Sequence, residues 1–305
     1  MTTTTPKLSN AWTGIALAVL ATIIWSGNFV VARAIIHEIP PIALAFFRWL
    51  TASVIILPIA WKELRQEWPL LKTHFPYFLL TAFLGISLFN TLVYIAGHYS
   101  PAINLALIGT TSSPIIAIIL ARIILKEKIP LLRIAGLSLC IAGILYLLSK
   151  GSFQNLLGFH FSQGDIWVLL GATAFSFYTI LVRKKPAGIT PRVYLLVIFS
   201  LGTLLLLPPY LWERSQYPPI QWTNNLLAVI LYLGLGTSVI AFLCWNAAIT
   251  RIGAARTSLF GNLIPVFASL EAIWFLHEKI STIHLVSGLL VITGLVIANL
   301  SVKQR

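Results

Sequence analysis

Ser112-Ser113-Pro114-Ile115-Ile116-Ala117, then Leu125-Lys126-Glu127-Lys128-Ile129 and Gly143, come back later in the chain as a second version. That version is Leu263-Ile264-Pro265-Val266-Phe267-Ala268, then Leu276-His277-Glu278-Lys279-Ile280 and Gly294. One interval separates Pro114 from Pro265, Glu127 from Glu278 and Gly143 from Gly294, and Gly85 with Gly236 and Tyr94 with Trp245 keep it too. The sequence is therefore two copies of one unit. Both copies are strongly apolar, and duplication in an apolar chain is the signature of a membrane transporter.

Composition points the same way. The chain has 305 residues, of which 58% are hydrophobic and 10% charged; a soluble domain carries about 25% charged residues. Apolar runs of about 20 residues span a bilayer. Ten such runs are readable, at 13–36, 42–61, 76–97, 101–122, 130–149, 165–184, 192–212, 225–249, 252–276 and 281–301. They must be helices, because lipid satisfies no backbone hydrogen bond and the alternation of a barrel strand is absent. The first run is too long for a cleaved leader and is expected to stay as a signal anchor. Cys140 and Cys244 lie inside runs and read as small packing residues, not as a disulfide framework.

The formal net charge of +13 is unevenly placed. Lys62, Arg65, Lys72, Arg122, Lys126, Lys128, Arg133, Arg183, Lys184, Lys185, Arg192, Arg251 and Arg256 gather at one set of run ends, with Lys7, Lys303 and Arg305 at the termini. The opposite ends hold only Arg33, Arg48, Lys150, Arg214 and Lys279. Positive residues mark the cytoplasmic side, so both termini are expected there, in a cell inner membrane. The same placement argues against nucleic acid as a partner.

Five runs per copy is an odd number, so the second copy enters the membrane upside down. The expected architecture is an all-α membrane protein of ten transmembrane helices in two inverted five-helix repeats. The first repeat covers residues 1–149, an external linker 150–164, and the second repeat 165–305. The fifth and tenth runs carry small residues at helical spacing (Gly136, Cys140, Gly143; Ser287, Gly288, Gly294, Ala298), which suits close packing or lipid contact.

Several motifs resemble the EamA-type transporters of the drug/metabolite transporter superfamily. They are Ile24-Trp25-Ser26-Gly27-Asn28-Phe29, Phe47-Arg48-Trp49, Gly164-Asp165, Leu235-Gly236-Thr237-Ser238 and Leu243-Cys244-Trp245-Asn246. The stretch from Asn262 to Ala268 and Leu276-His277-Glu278-Lys279 complete the set. The resemblance covers both halves and implies a ten-helix inverted-repeat fold. It also implies transport of small polar or amphipathic metabolites, commonly amino acids, usually outward. Two positions depart from the pattern: His277 where the family has Gly, and Glu271 where it is small or apolar.

No Gly-rich nucleotide loop and no zinc-protease helix is present, so no enzyme, cofactor or metal site is expected. Of eight acids, only Glu271 lies several residues inside a run. An intramembrane carboxylate is a candidate for coupling to protons or substrate, with a structural ion pair as the alternative. Arg48, at similar depth, is its expected partner. Asn28, Asn90, Asn104, Asn246 and Asn262 fall in the first, third, fourth, eighth and ninth runs. Alone each reads as a helix-to-helix hydrogen bond; together they occupy the runs that line the central cavity in the family. Trp25, Tyr94, Tyr178 and Trp245 are the aromatics expected with them, Tyr178 facing Asn28 when Arg33 and Arg183 are aligned. Pro114 and Pro265 interrupt polar faces and are candidate gating points.

The reading is a secondary transporter of amino acids or similar small metabolites, with export as the expected mode and proton coupling as an open option. Membrane lipids surround it. Uptake, facilitated passage and a non-transporting scaffold or receptor are the alternatives.

Overall fold

The computed structural model describes residues 8–35, 38–99, 102–157, 162–276 and 281–300; the side chains of Arg33 and Asn104 lie outside the description, as do residues 277–280 with the His277 and Glu278 motif. Among the described residues the chain is helical, without strands. α1 is Leu8–Ala34 and α2 Pro41–Thr73. α3 (Phe75–Ala82) and α4 (Phe89–Tyr99) are joined through a π-turn at Phe83–Leu88. α5 (Ala102–Ile124), α6 (Leu131–Leu148) and the short α7 (Phe153–Leu157) complete the first half.

The second half repeats this order. α8 is Gln163–Arg183 and α9 Pro191–Gln216. α10 (Asn224–Tyr232) and α11 (Ala241–Ile252) again flank a π-turn, Leu233–Ile240. α12 (Ala254–Ser258), a 3₁₀ segment (Leu259–Leu263) and α13 (Ile264–Leu276) follow, then α14 (Thr282–Asn299). Among the described residues, 8 helices are by length and composition able to cross a membrane, and Thr111–Ile124 is a shorter apolar stretch. The expected ninth run is the one broken most heavily.

Helix starts follow local rules. Pro41 and Pro191 sit at first helical positions, where a missing N–H costs nothing. The Thr223 hydroxyl accepts from Leu226 N at 3.1 Å, and the Asp165 carboxylate accepts from Ser162 N at 2.7 Å. The Glu213 carboxylate takes Ile42 N (3.0 Å) and Ala43 N (2.7 Å), closing the start of α2 from the end of α9. Glu67 accepts from Thr190 N at 3.0 Å, and Glu63 pairs with Arg192 at 3.1 Å. These acids act as caps and surface pairs, which leaves Glu271 in a different class.

The major packing partners come from opposite halves: α6 with α14, α2 with α9, α5 with α8, α1 with α11, α4 with α8 and α1 with α13. Exchanging the halves maps this set onto itself. Apolar side chains such as Ile123, Leu131, Leu204 and Leu289 point outward, as lipid contact requires.

The small-residue faces meet each other. A Cβ at Gly136 would lie 2.4 Å from Gly294 O, and one at Gly294 would lie 2.8 Å from Cys140 Sγ. Cys140 Sγ donates to Val291 O at 3.4 Å. Gly294→Leu should therefore destabilise the fold by about 1–3 kcal/mol or more through overpacking. Gly261→Ala, where a Cβ meets nothing within 4 Å, should leave the melting temperature in detergent nearly unchanged. Equal losses in both variants would contradict the α6–α14 seam.

Candidate functional site

Arg48 is the most deeply enclosed cation among the described residues, with a relative exposure of 2%. α2 carries it into the space between the π-turn of α10–α11 and α4. Its Nε donates to Ser238 Oγ at 2.8 Å, Nη1 to Asn90 Oδ1 and Tyr94 OH at 3.1 Å each, and Nη2 to Thr237 O at 3.3 Å. All four partners are neutral. The π-turn makes this possible: its widened ring leaves a carbonyl without its usual helical partner. Thr237 O also accepts from Trp25 Nε1 at 2.9 Å. The expected direct Arg48–Glu271 pair is not formed; no described residue pairs Arg48 with a carboxylate within 4.0 Å.

Beside this cage lies an aromatic cluster. Trp25 packs on Trp245 (ring centroids 4.9 Å), Phe242 (5.6 Å) and Phe175 (5.9 Å), and Phe175 stacks on Tyr178 at 5.5 Å. Tyr178 OH donates to Asn246 Oδ1 at 2.8 Å. Its ring covers Gly85, where a Cβ would sit 2.2 Å from Cδ2, so only glycine admits the phenol there. Several buried polar atoms on these elements and on the 3₁₀ segment have no partner: Asn28 Oδ1, Asn90 Nδ2, Trp245 Nε1, Asn246 Nδ2 and both amide atoms of Asn262. Unmade hydrogen bonds are costly in a dry interior. Both donors and acceptors are among them.

Glu271 is reached from α13. Ser26 Oγ lies 2.6 Å from Glu271 Oε1 and also 2.6 Å from Ile23 O. Glu271 Oε2 is buried and has no partner. Tyr232 OH, from the last residue of α10, donates to Ile24 O at 2.9 Å. Gly27 sits between them: a Cβ there would be 2.4 Å from Tyr232 OH and 3.7 Å from Glu271 Oε2. Among the described residues no group of three or more His, Cys, Asp or Glu is placed to hold a metal.

The sequence pattern of an EamA-like transporter matches residues 12–149 and again 162–300. The chain belongs to the EamA-like transporter family. Its relatives include an uncharacterized transporter of Archaeoglobus fulgidus, 27% identical over 304 residues (97% of this chain, 100% of that one). The transporter YyaM of Bacillus subtilis is 28% identical over 276 residues (89% and 88%). A protein of Salmonella typhimurium named as a "probable amino-acid metabolite efflux pump" is 24% identical over 303 residues (95% of each). A crystal structure at 18% identity superposes with a TM-score of 0.74, covering 95% of this chain and 96% of that one, and shares its fold.

The two candidate prolines lie in α5 and α13. Pro265 follows directly on the 3₁₀ segment; its missing N–H leaves the carbonyl four residues earlier, that of Gly261 within the segment, without its α-helical donor, and the neighbouring Asn262 amide is buried and unpartnered. Pro114 lies inside α5, and Ser113 O next to it accepts from Ser176 Oγ at 3.1 Å. The sequence reading missed Tyr232, Ser26, Phe175 and Phe242. Gly27 and Gly85 were the readable signals, each a point where a tyrosine needs the space of a side chain.

The transporter fold should depend on the planar fork of Arg48. Arg48→Lys keeps the charge but reaches fewer of the four acceptors. It should lower thermal stability almost as far as Arg48→Met, by about 2–4 kcal/mol in either case. A fully stable Arg48→Lys in a detergent melt would show the cage to be incidental.

Proposed function

We propose that this chain is a proton-coupled secondary transporter that exports amino acids or similar small metabolites across the inner membrane. The ten-span, inverted-repeat architecture with cytoplasmic termini is part of the proposal. So is the division into 1–149, an outer linker 150–164, and 165–305. The observation that carries it is the central group of unpartnered amide and indole atoms beside an aromatic cluster. A small solute with a carboxylate and an ammonium would satisfy donors such as Asn90 Nδ2 and Trp245 Nε1 and acceptors such as Asn28 Oδ1. Asn104, in α5, joins this lining in the proposal. The relative named for amino-acid metabolite efflux supports the direction.

Coupling rests on Ser26. A hydroxyl has one hydrogen, yet two oxygens lie 2.6 Å from Ser26 Oγ. The contacts are consistent if Glu271 is protonated: it donates to Ser26 Oγ, which donates to Ile23 O. Distances this short suit shared protons; two oxygens around a bound metal ion stand farther apart. Export would follow when a proton taken up at Glu271 from outside crosses as substrate leaves.

The test is transport in proteoliposomes. An imposed pH gradient should drive accumulation of a labelled amino acid by the wild type and not by Glu271→Gln, whereas counterflow at equal pH survives in the variant. A wild type indifferent to the gradient would make Glu271 structural and the protein a facilitator or exchanger. Absence of counterflow with every metabolite of a broad panel would overturn the transport reading.

A further inference from the structure

We propose that the Tyr232 hydroxyl transmits the protonation state of Glu271 to the cage around Arg48. This rests on the coupling reading above and assigns a positioning residue to it. The Tyr232 hydroxyl and Glu271 Oε2 both flank Gly27, and the charges of Glu271 on α13 and Arg48 on α2 both act on the phenol. Its neighbour on α1 is the Ile24 carbonyl, 2.9 Å away, and Gly27 on the same helix leaves room for the hydroxyl.

The link to Arg48 runs through the next residue. Leu233 opens the π-turn, and its carbonyl accepts from both Thr237 Oγ1 and Ser238 Oγ at 2.8 Å. Ser238 Oγ in turn accepts from Arg48 Nε, and Thr237 O from Nη2. A shift at Tyr232 therefore moves the carbonyl that holds two of the four Arg48 partners. Trp25, bonded to Thr237 O, is carried along with the aromatic cluster.

The switch balances with one proton. With Glu271 protonated, its hydrogen goes to Ser26 Oγ, that of Ser26 to Ile23 O and that of Tyr232 to Ile24 O. When the Glu271 proton leaves to water, the group loses its donor and both carboxylate oxygens accept. Ser26 turns its hydrogen to Oε1, and Tyr232 turns its own from Ile24 O to the unpartnered Oε2. A hydrogen bond to an ionised group is about twice as strong as one to a carbonyl, so the exchange is downhill. Ile24 O loses the phenol's hydrogen bond, and that tie between α1 and α10 is released while Trp25 stays bonded to Thr237 O.

Tyr232→Phe keeps the ring and removes only the hydroxyl. The carboxyl stretch of Glu271, identified in infrared difference spectra by its loss in Glu271→Gln, is followed through a pH titration. Its midpoint should be displaced by about one pH unit in Tyr232→Phe. In proteoliposomes the same variant should lose gradient-driven accumulation while retaining counterflow at equal pH. Gly27→Ala, which evicts the phenol with Tyr232 in place, should displace the midpoint as well and guards against a poorly folded first variant. An unmoved midpoint in both variants, or full gradient response in Tyr232→Phe, overturns the inference and leaves proton coupling standing. A wild type without gradient response overturns both.

Discussion

The carbonyl of Thr237 holds the centre of the molecule together. It receives the Trp25 indole from α1 and the Arg48 guanidinium from α2, and it belongs to the π-turn between α10 and α11. In a bilayer a carbonyl without a helical partner is tolerated only where protein fills its place. The π-turn creates such a group, and two donors from the other half meet it. Irregular backbone is thereby turned into a junction of three elements. The matched π-turn at Phe83–Leu88 does comparable work: Ser87 Oγ donates to Gly202 O at 3.0 Å, and Gly85 admits Tyr178.

The packing is two-fold, but the chemistry is not. Helix contacts map onto themselves when the halves are exchanged. The interval that links Pro114 to Pro265 pairs Glu271 with Leu120 and Tyr232 with Thr81. The carboxylate and the phenol therefore exist in one copy only. A symmetric frame permits two related conformations, while a single ionisable group makes them energetically unequal. On the proposed reading, that inequality depends on the protonation of Glu271, which is how a proton gradient would set the direction of transport.

Much of the frame was legible because apolar length and duplication are properties of the sequence itself. The small-residue faces containing Gly136 and Gly294 were readable for the same reason: helical spacing alone puts them in line. The site was legible in kind, not in pairing. Glu271 and Arg48 stand out as charges at matched depth, which suggests a pair. The π-turn intervenes and gives Arg48 four neutral acceptors, and no propensity announces a π-turn before the backbone is seen. Pro265 was a readable mark: the carbonyl that a proline leaves without a donor lies four residues earlier, at Gly261, inside the 3₁₀ segment Leu259–Leu263. Tyr232 was hidden because tyrosines near membrane faces are common and usually interfacial.

Keeping Arg48 and Glu271 apart has an energetic consequence. A buried ion pair costs about 3–5 kcal/mol to break, and a cycle that opened one at each turnover would carry that barrier twice. Neutral hydrogen-bond partners hold Arg48 in every step without such a trap. Glu271 then needs only a proton or one hydroxyl to be satisfied, and both alternatives lie within a residue or two of Gly27. Each arrangement exchanges one hydrogen bond for another, and the charge on Glu271 decides which is favoured. A bistable element of that kind responds to a change of one proton, whereas a direct salt bridge between the two residues would lock the cavity in the state that formed it.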